Sequence, residues 1–409
     1  MRTRLMVGGN SSGDGNGGGV DVAISGGSMG GLFTALALAD ADRAVDVEVF
    51  ERSTGELRSR GAGIVAQPTI LDFLDTHDIT DPEAITTTTS TRQYLDREGG
   101  VERTYDESMT FISWDALYRR LRDAVSDENY HLGRTTTGVD RGETRTDDEA
   151  EGSDELTDGG RRGRATLRFE NGETREADLA AVAKGGQSTA REDLLPSAGP
   201  EYAGYVAWRG VTPEGSVSPS VHERFEDVFT FYEGNDDLVL AYLIPGPDGS
   251  TAAGERRLNW VWYDPIQRRE RQHLMTDIDG RTHDLSVPPG KLGADTEEAL
   301  LAAAEQRLPD VFTDLVRATD DRFVQTIYDL EVPRTTFDRV CLLGDSAFVA
   351  RPHTAAGTAK AAADGIALAD ALEANDGIGA ALDGWEDERL EAGRRLVAKG
   401  RRMGENYMN

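Results

Sequence analysis

The 409 residues hold one cysteine, four lysines and no long apolar run. The lone Cys341 excludes an internal disulfide and a cysteine metal cluster, and no metal site is expected. It lies in Val340-Cys-Leu-Leu, where a core role is expected. Lysine occurs only at positions 184, 291, 360 and 399, so arginine supplies nearly all of the 44 basic residues. Against them stand 74 acids, for a formal net charge of -30. Such a surface repels nucleic acid and anionic membranes. An acid-rich, lysine-poor chain that keeps apolar core segments fits a halophilic protein, whose salt screens self-repulsion. No segment nears the ~20 apolar residues of a membrane helix. The Gly- and Ser-rich start has no signal-peptide core. Residues 1–19 read as a disordered tail, and a cytoplasmic location follows by elimination.

What is present is organised around Val20 to Arg52. An apolar strand, Val20 to Ser25, enters a glycine turn. The turn opens a helix carrying Leu32, Leu36 and Leu38, and a second strand, Val45 to Phe50, ends at Glu51. This strand–turn–helix–strand unit is the one that binds a dinucleotide. Backbone N–H groups and the positive end of a helix would face a pyrophosphate. Glu51 lies where an acid accepts from the adenosine ribose hydroxyls. Glycines are expected at 26, 28 and 31, and Ser28 departs from that fingerprint.

Further on, Ile64 to Ala66 reads as a short strand, and Pro68 starts a helix with Ile70, Leu71 and Leu74 on one face. Thr86 to Arg97 and Glu102 to Phe111 read as strands outside the first unit. Ser113 caps a helix over Trp114 to Val125, with Trp114 expected in the core. Residues 141–164 read as a solvated acidic loop. Ala165 to Phe169 and Thr174 to Val182 pair as a hairpin across Asn171-Gly172. From Tyr202 to Tyr263 the pattern turns to aromatic, alternating strands of a mostly antiparallel sheet. Helices follow at Thr296 to Arg307 and Val311 to Ala318. A buried strand then runs into Gly344-Asp345. An Ala-rich helix spans Thr358 to Leu372, and a last helix, Ala380 to Met403, shows Trp385 and Leu390 on one side with Arg389, Arg394 and Arg401 around them.

The glycine turn, Gly344-Asp345, Pro352 and a helix beginning near Gly357 together resemble the class A flavoprotein aromatic hydroxylases, with the para-hydroxybenzoate hydroxylase fold. Arg351-Pro-His-Thr-Ala-Ala-Gly-Thr-Ala-Lys-Ala-Ala-Ala-Asp is the most specific match, and it is similar to the 2,6-dihydroxypyridine 3-hydroxylase-like branch. Tyr205-Val-Ala-Trp-Arg-Gly, Asn259-Trp-Val-Trp-Tyr and Ser286-Val-Pro-Pro-Gly fit that branch too. The resemblance implies an α/β fold. A Rossmann-like FAD-binding domain (20–85, 110–200 and 325–375) would be interleaved with a mainly antiparallel β-sheet substrate domain (86–109 and 201–324), followed by a C-terminal helix (376–409). It also implies FAD as cofactor, with NADH or NADPH as transient co-substrate. Cofactor contacts are implied at Gly26, Ser28, Met29, Gly31, Glu51, Arg52, Gln67, Asp345, Gly357, Thr358 and Ala359. Asp345 would accept from the flavin ribityl chain. The helix N-terminus at Gly357 to Ala359 would face the anionic pyrimidine edge of reduced flavin. One departure is Lys184 in Lys184-Gly-Gly-Gln-Ser-Thr-Ala-Arg, where relatives usually place an Asp.

The implied reaction is hydroxylation of an aromatic or N-heteroaromatic, hydroxypyridine-like ring with O2, by way of a flavin hydroperoxide. An FAD-dependent reductase or dehydrogenase without oxygen insertion, or a non-catalytic flavin-binding protein, are the rival readings. The ring needs a base near neutral pH, so His353 is the first candidate, beside Pro352, which would lie over the flavin. Pocket walls are sought among Trp208, Arg209, Tyr232, Tyr242 and Trp260. Arg209 is read first as one half of a surface ion pair, with an anionic substrate or a nicotinamide phosphate as the alternative partner. Small-molecule substrate and O2 are the partners expected, with a homodimer left open.

Overall fold

The computed structural model describes residues 19–55, 57, 63–142 and 163–408. Nearly all of the expected tail and acidic loop lies outside these residues.

Val20–Ser25 and Val45–Phe50 form at the expected bounds and pair in parallel. They sit inside a six-stranded sheet whose order runs Thr336–Phe337, Val340–Leu342, Leu179–Val182, Val20–Ser25, Val45–Phe50, Tyr130–His131. Leu179–Val182 is buried at every position, as a strand covered on both faces requires. Its neighbours Val22, Ile24 and Leu343 join the helices Met29–Ala39 and Gly357–Ala374 in one core.

Here the hairpin reading needs correction. Thr174 to Val182 is not one strand. Thr174–Ala177 pairs with Ala165–Phe169 in a three-stranded sheet, and Leu179–Val182 crosses into the parallel sheet. The break falls at Asp178, whose carboxylate accepts the Asp21 N–H at 3.1 Å. Alternation ends there and a wholly apolar run begins, which is the change from a half-exposed to a doubly covered strand.

The second layer is a ten-stranded sheet. Its centre is Glu201–Pro213, Arg257–Pro265, Leu238–Ile244 and Val228–Glu233, joined antiparallel except where Val228–Glu233 meets Thr86–Leu95 in parallel. The strand Val101–Ser113 carries the chain back, and Ser113 caps the helix Trp114–Ala124 by accepting the Ala116 N–H at 3.2 Å.

Alternation gives this sheet two faces. Val206, Trp208, Val239, Ala241, Leu258, Trp260 and Trp262 pack on Leu300, Phe312 and Leu315 of the helices Ala294–Arg307 and Asp310–Arg317. Tyr205, Ala207, Leu238, Tyr242, Val261 and Tyr263 take the other face. The C-terminal helix, Ile378–Tyr407, runs past both sheets. Its Arg389 is not on the outer face as the sequence pattern suggested. It is buried, and its Nε donates to Asp364 Oδ1 at 2.8 Å.

Candidate active site

The glycine turn is built by close approach. Gly26 has φ +113°, and a Cβ there would fall 2.3 Å from the Ala183 carbonyl oxygen. A Cβ on Gly31 would fall 1.8 Å from the Gly26 oxygen. Only glycine fits either place. Ser28 stands at the N-cap of Met29–Ala39, yet its hydroxyl makes no capping bond. Glu51 is buried and accepts the Gly27 N–H and the Ser53 N–H, both at 2.9 Å. Those bonds leave lone pairs for further donors.

Gly26, Ser28, Met29, Glu51 and Arg52 line a cavity of about 540 Å³. Gly31 lies behind its wall, supporting the turn. Lys184 reaches into the same cavity, where its ammonium donates to the Thr136 carbonyl and to Thr189 Oγ1. Burial and the nearby Arg52 lower its pKa.

At the far end of this cavity lie Gly344, Asp345, Gly357 and Thr358. The Gly344 N–H donates to Asp364 Oδ2 at 2.8 Å, and the buried Lys360 donates to the same oxygen at 2.7 Å and to the Gly344 carbonyl at 2.9 Å. Arg389 completes this internal clamp, which fixes the turn carrying Asp345. Lys360 and Asp364 were not singled out from sequence, although their i, i+4 spacing on an Ala-rich helix was a signal. Asp345 is exposed to both cavities, with protein packed closely behind it. Desolvation by that protein raises its pKa, and Lys360 opposes the rise.

A second cavity of about 620 Å³ shares Trp114, Asp345, Gly357 and Thr358 with the first. Trp114 is thus not the core residue expected. It is half-buried at the junction, stacked on Tyr118 at 5.0 Å between ring centres. Gln67, Pro352 and His353 line this second space. Gln67 Nε2 donates to the carbonyl of Ala355, whose φ of 51° turns the chain into the helix at Gly357. Ala359, two residues into the helix, is buried against the main core.

The wall of the second cavity is the sheet face turned away from the helices Ala294–Arg307 and Asp310–Arg317. Arg209, Tyr242, Val261 and Tyr263 line it. Trp208, Trp260 and Tyr232 do not, which corrects three of the five wall residues sought. Trp208 Nε1 donates to the buried Asp264 at 3.0 Å, and Trp260 Nε1 donates to Thr319 Oγ1 at 2.8 Å. Both belong to the helix-packed face. Tyr232 shares that face and opens instead on a separate acidic cleft with Asp236 and Asp237.

Arg209 is no surface ion pair. It donates to Gln325 Oε1 at 2.9 Å, its Nε is buried without a partner, and no carboxylate lies within ion-pair distance among the described residues. Arg92 Nε and Thr326 Oγ1, on the same wall, are also buried and unpaired. Buried polar groups left this way point to a polar ligand between aromatic walls.

His353 sits deep in this cavity, with its ring 4.2 Å from Tyr263 and its Nε2 2.9 Å from the Tyr205 hydroxyl. Burial and the Arg351 guanidinium lower its pKa to about 3. The imidazole is neutral at pH 7, the Tyr205 hydroxyl is kept protonated because burial raises its pKa, and the histidine tautomer sets which of the two donates. So low a basicity suits a hydrogen-bonding post better than a proton acceptor tuned to neutral pH.

The two joined cavities fit a flavin dinucleotide. Glycines stand where backbone must approach, a carboxylate waits at each end, and a Cβ on Gly357 would meet nothing within 4 Å.

Comparison with known proteins agrees. A family model described as FAD binding domain-like matches residues 202–329. The chain is 34% identical over 385 residues to 2,6-dihydroxypyridine 3-monooxygenase of Paenarthrobacter nicotinovorans, covering 93% of this chain and 90% of that protein. The solved structure of 2,6-dihydroxypyridine-3-hydroxylase from Arthrobacter nicotinovorans aligns with a TM-score of 0.85 at 32% identity, over 96% of this chain and 94% of that one. Klebsiella pneumoniae HpxO, complexed with FAD and uric acid, shares the fold at a TM-score of 0.72 and 21% identity, over 95% of this chain and 89% of that one.

Proposed function

The chain belongs to the FAD-dependent aromatic-ring monooxygenases, and from that premise we propose that it hydroxylates a hydroxypyridine-like ring carrying an anionic oxygen. The observation that carries the substrate class is Arg209, a half-buried guanidinium without a carboxylate, facing an aromatic cavity that joins the dinucleotide cavity.

Bound FAD supplies the redox chemistry, with electrons from NADH or NADPH and oxygen from O2. The residues do the rest. Glu51 would accept from the ribose hydroxyls, Arg52 and Lys184 would offset phosphate charge, and Asp345 would hold the ribityl chain. The amides at Gly357 to Ala359 present the positive end of an 18-residue helix to the pyrimidine edge. Pro352 closes one side, and Phe229, Phe231, Tyr242 and Tyr263 exclude water from the ring. Arg209 draws the ring's anionic oxygen, which favours the ionised, more nucleophilic form of the ring. Neutral His353, held by Tyr205, offers a hydrogen bond without competing charge.

In this reading residues 20–85, 110–200 and 325–375 hold the flavin, and residues 86–109 and 201–324 supply the substrate sheet. The test is a visible spectrum followed by turnover. Protein carrying FAD should oxidise NADH or NADPH faster with 2,6-dihydroxypyridine present and yield a product one oxygen heavier. Flavin reduction without any oxygenated ring, across a panel of hydroxylated pyridines and phenols, would replace this reading with that of a reductase.

A further inference from the structure

The ring cavity has a wall that the substrate sheet does not supply. The helix Ile378–Tyr407 ends over the cavity, and Met403 and Tyr407 line it. Its approach is set by three glycines. A Cβ on Gly393 would fall 2.4 Å from the Phe348 ring, and one on Gly400 would fall 3.0 Å from the Arg351 nitrogen. A Cβ on Gly404 would crowd Arg351 Nη1 and come within 2.8 Å of the Tyr205 hydroxyl. Glycine at these places lets the helix lie against the Phe348 ring, the Arg351 backbone and side chain, and the Tyr205 hydroxyl, beside the turn that bears Pro352 and His353.

Charge fixes the same register. Asp329, itself buried, accepts from Arg351 Nη2 at 3.0 Å and from Arg401 Nε at 3.2 Å, so one carboxylate ties the turn to the helix. The result places the Tyr407 ring 5.3 Å from the His353 ring, packed against the cavity-side face with Tyr263. Tyr407 is half-buried, and its hydroxyl bonds no described residue.

We propose that Tyr407 is a specificity-determining residue: its ring is the end wall of the substrate cavity, and its hydroxyl hydrogen-bonds a polar substituent of the bound ring. This rests on the ring-hydroxylase reading. The wall comes from the last turn of the chain, so the size of ring accepted is set by a helix outside the sheet that holds Arg209.

The test uses the full chain loaded with FAD, with Tyr407→Phe and Tyr407→Ala beside the unaltered protein. Ring binding is read from the change in flavin absorbance on titration with 2,6-dihydroxypyridine and with the larger 2,4-dihydroxyquinoline. Loss of one hydrogen bond in Tyr407→Phe should weaken 2,6-dihydroxypyridine by about 3–10-fold. Tyr407→Ala should weaken it by about tenfold or more, raise the share of electrons lost as peroxide, and shift preference toward the bicyclic ring. FAD affinity should not move in either variant, which separates a wall from a prop of the cofactor site. Ring affinity and selectivity unchanged in both variants would overturn the assignment. If the unaltered FAD-loaded protein binds neither ring, the ring-hydroxylase reading itself falls, and the assignment falls with it.

Discussion

Trp260 and Val261 are neighbours on one strand, and they meet opposite fates. The indole is fully buried against the helix layer, and the valine faces the ring cavity. The same split separates Trp208 from Arg209 and Ala241 from Tyr242. One face of the sheet is a core in which tryptophans fill volume and their N–H groups find fixed acceptors. The other face is a binding wall on which polar atoms are left unpaired. A one-residue step therefore separates stability from recognition, and mutation should separate them as cleanly.

The largest effect is expected on the packed face. Trp260→Ala removes a wholly buried indole and its hydrogen bond to the Thr319 hydroxyl, which keeps Thr212 and the Leu315 carbonyl as partners. Denaturant unfolding should show a loss of about 3–5 kcal/mol. The fraction that remains folded should bind the ring substrate as before. Weakened ring binding without lost stability would reverse the roles given to the two faces.

Arg209→Gln makes the reciprocal case. Its guanidinium has no internal ion pair to lose, so the unfolding midpoint should hardly move. Ring affinity should fall by about 10–100-fold, the worth of a hydrogen bond to a charged partner. Titration monitored by flavin absorbance reads this directly. The drop should vanish for a ring with no ionisable substituent.

A third experiment uses pH to probe the cavity face. His353 has a folded pKa of about 3, below the ordinary value of 6.5. The unfolded chain therefore binds this proton more readily, so the stability contribution is present above pH 6.5 and is lost as pH falls toward 3. Between pH 6.5 and 5.5 the loss should be about 1 kcal/mol. The difference between the unaltered protein and His353→Gln isolates it, because Glu48 and Glu214, both held near 2, titrate lower. Equal slopes for the two proteins would mean that folding leaves the His353 pKa at its ordinary value, so that burial does not keep the ring neutral.

The contrast also explains what the sequence disclosed. Val20 to Arg52 was legible because a tight turn, a helix dipole and an acid are local, and each leaves a fixed residue type at a fixed spacing. Gly344-Asp345 and Gly357 were legible for the same reason. Strand alternation was legible as well, and it placed Trp260 and Trp262 together on one side. Which side faces the ligand was not, because that depends on where the helices Ala294–Arg307 and Asp310–Arg317 dock. Choosing walls by aromatic character then favoured the tryptophans, which volume alone sends to the core. Trp114 misled in the opposite direction, since a residue on the edge of a helical stripe can face a cavity. The clamp of Lys360, Asp364 and Arg389 joins two helices, and only its first pair is visible in one of them.

The smallest effect tests the other end of the site, where the sequence departs from the pattern that the family resemblance implies. Lys184 stands where an Asp was expected, and the ammonium lies in the dinucleotide cavity beside Arg52. If it supports the cofactor phosphates, Lys184→Met should weaken FAD binding by about 2–5-fold, the range of a partly solvated ion pair. Salt should then weaken FAD less in the variant than in the unaltered protein, because a screened attraction has been removed. Flavin fluorescence on titration into stripped protein measures both. Tighter binding in Lys184→Met would give the opposite lesson: the ammonium would then serve only to tie Thr136 to Thr189, and the charge reversal would be a burden that Glu51 and the glycine turn overcome.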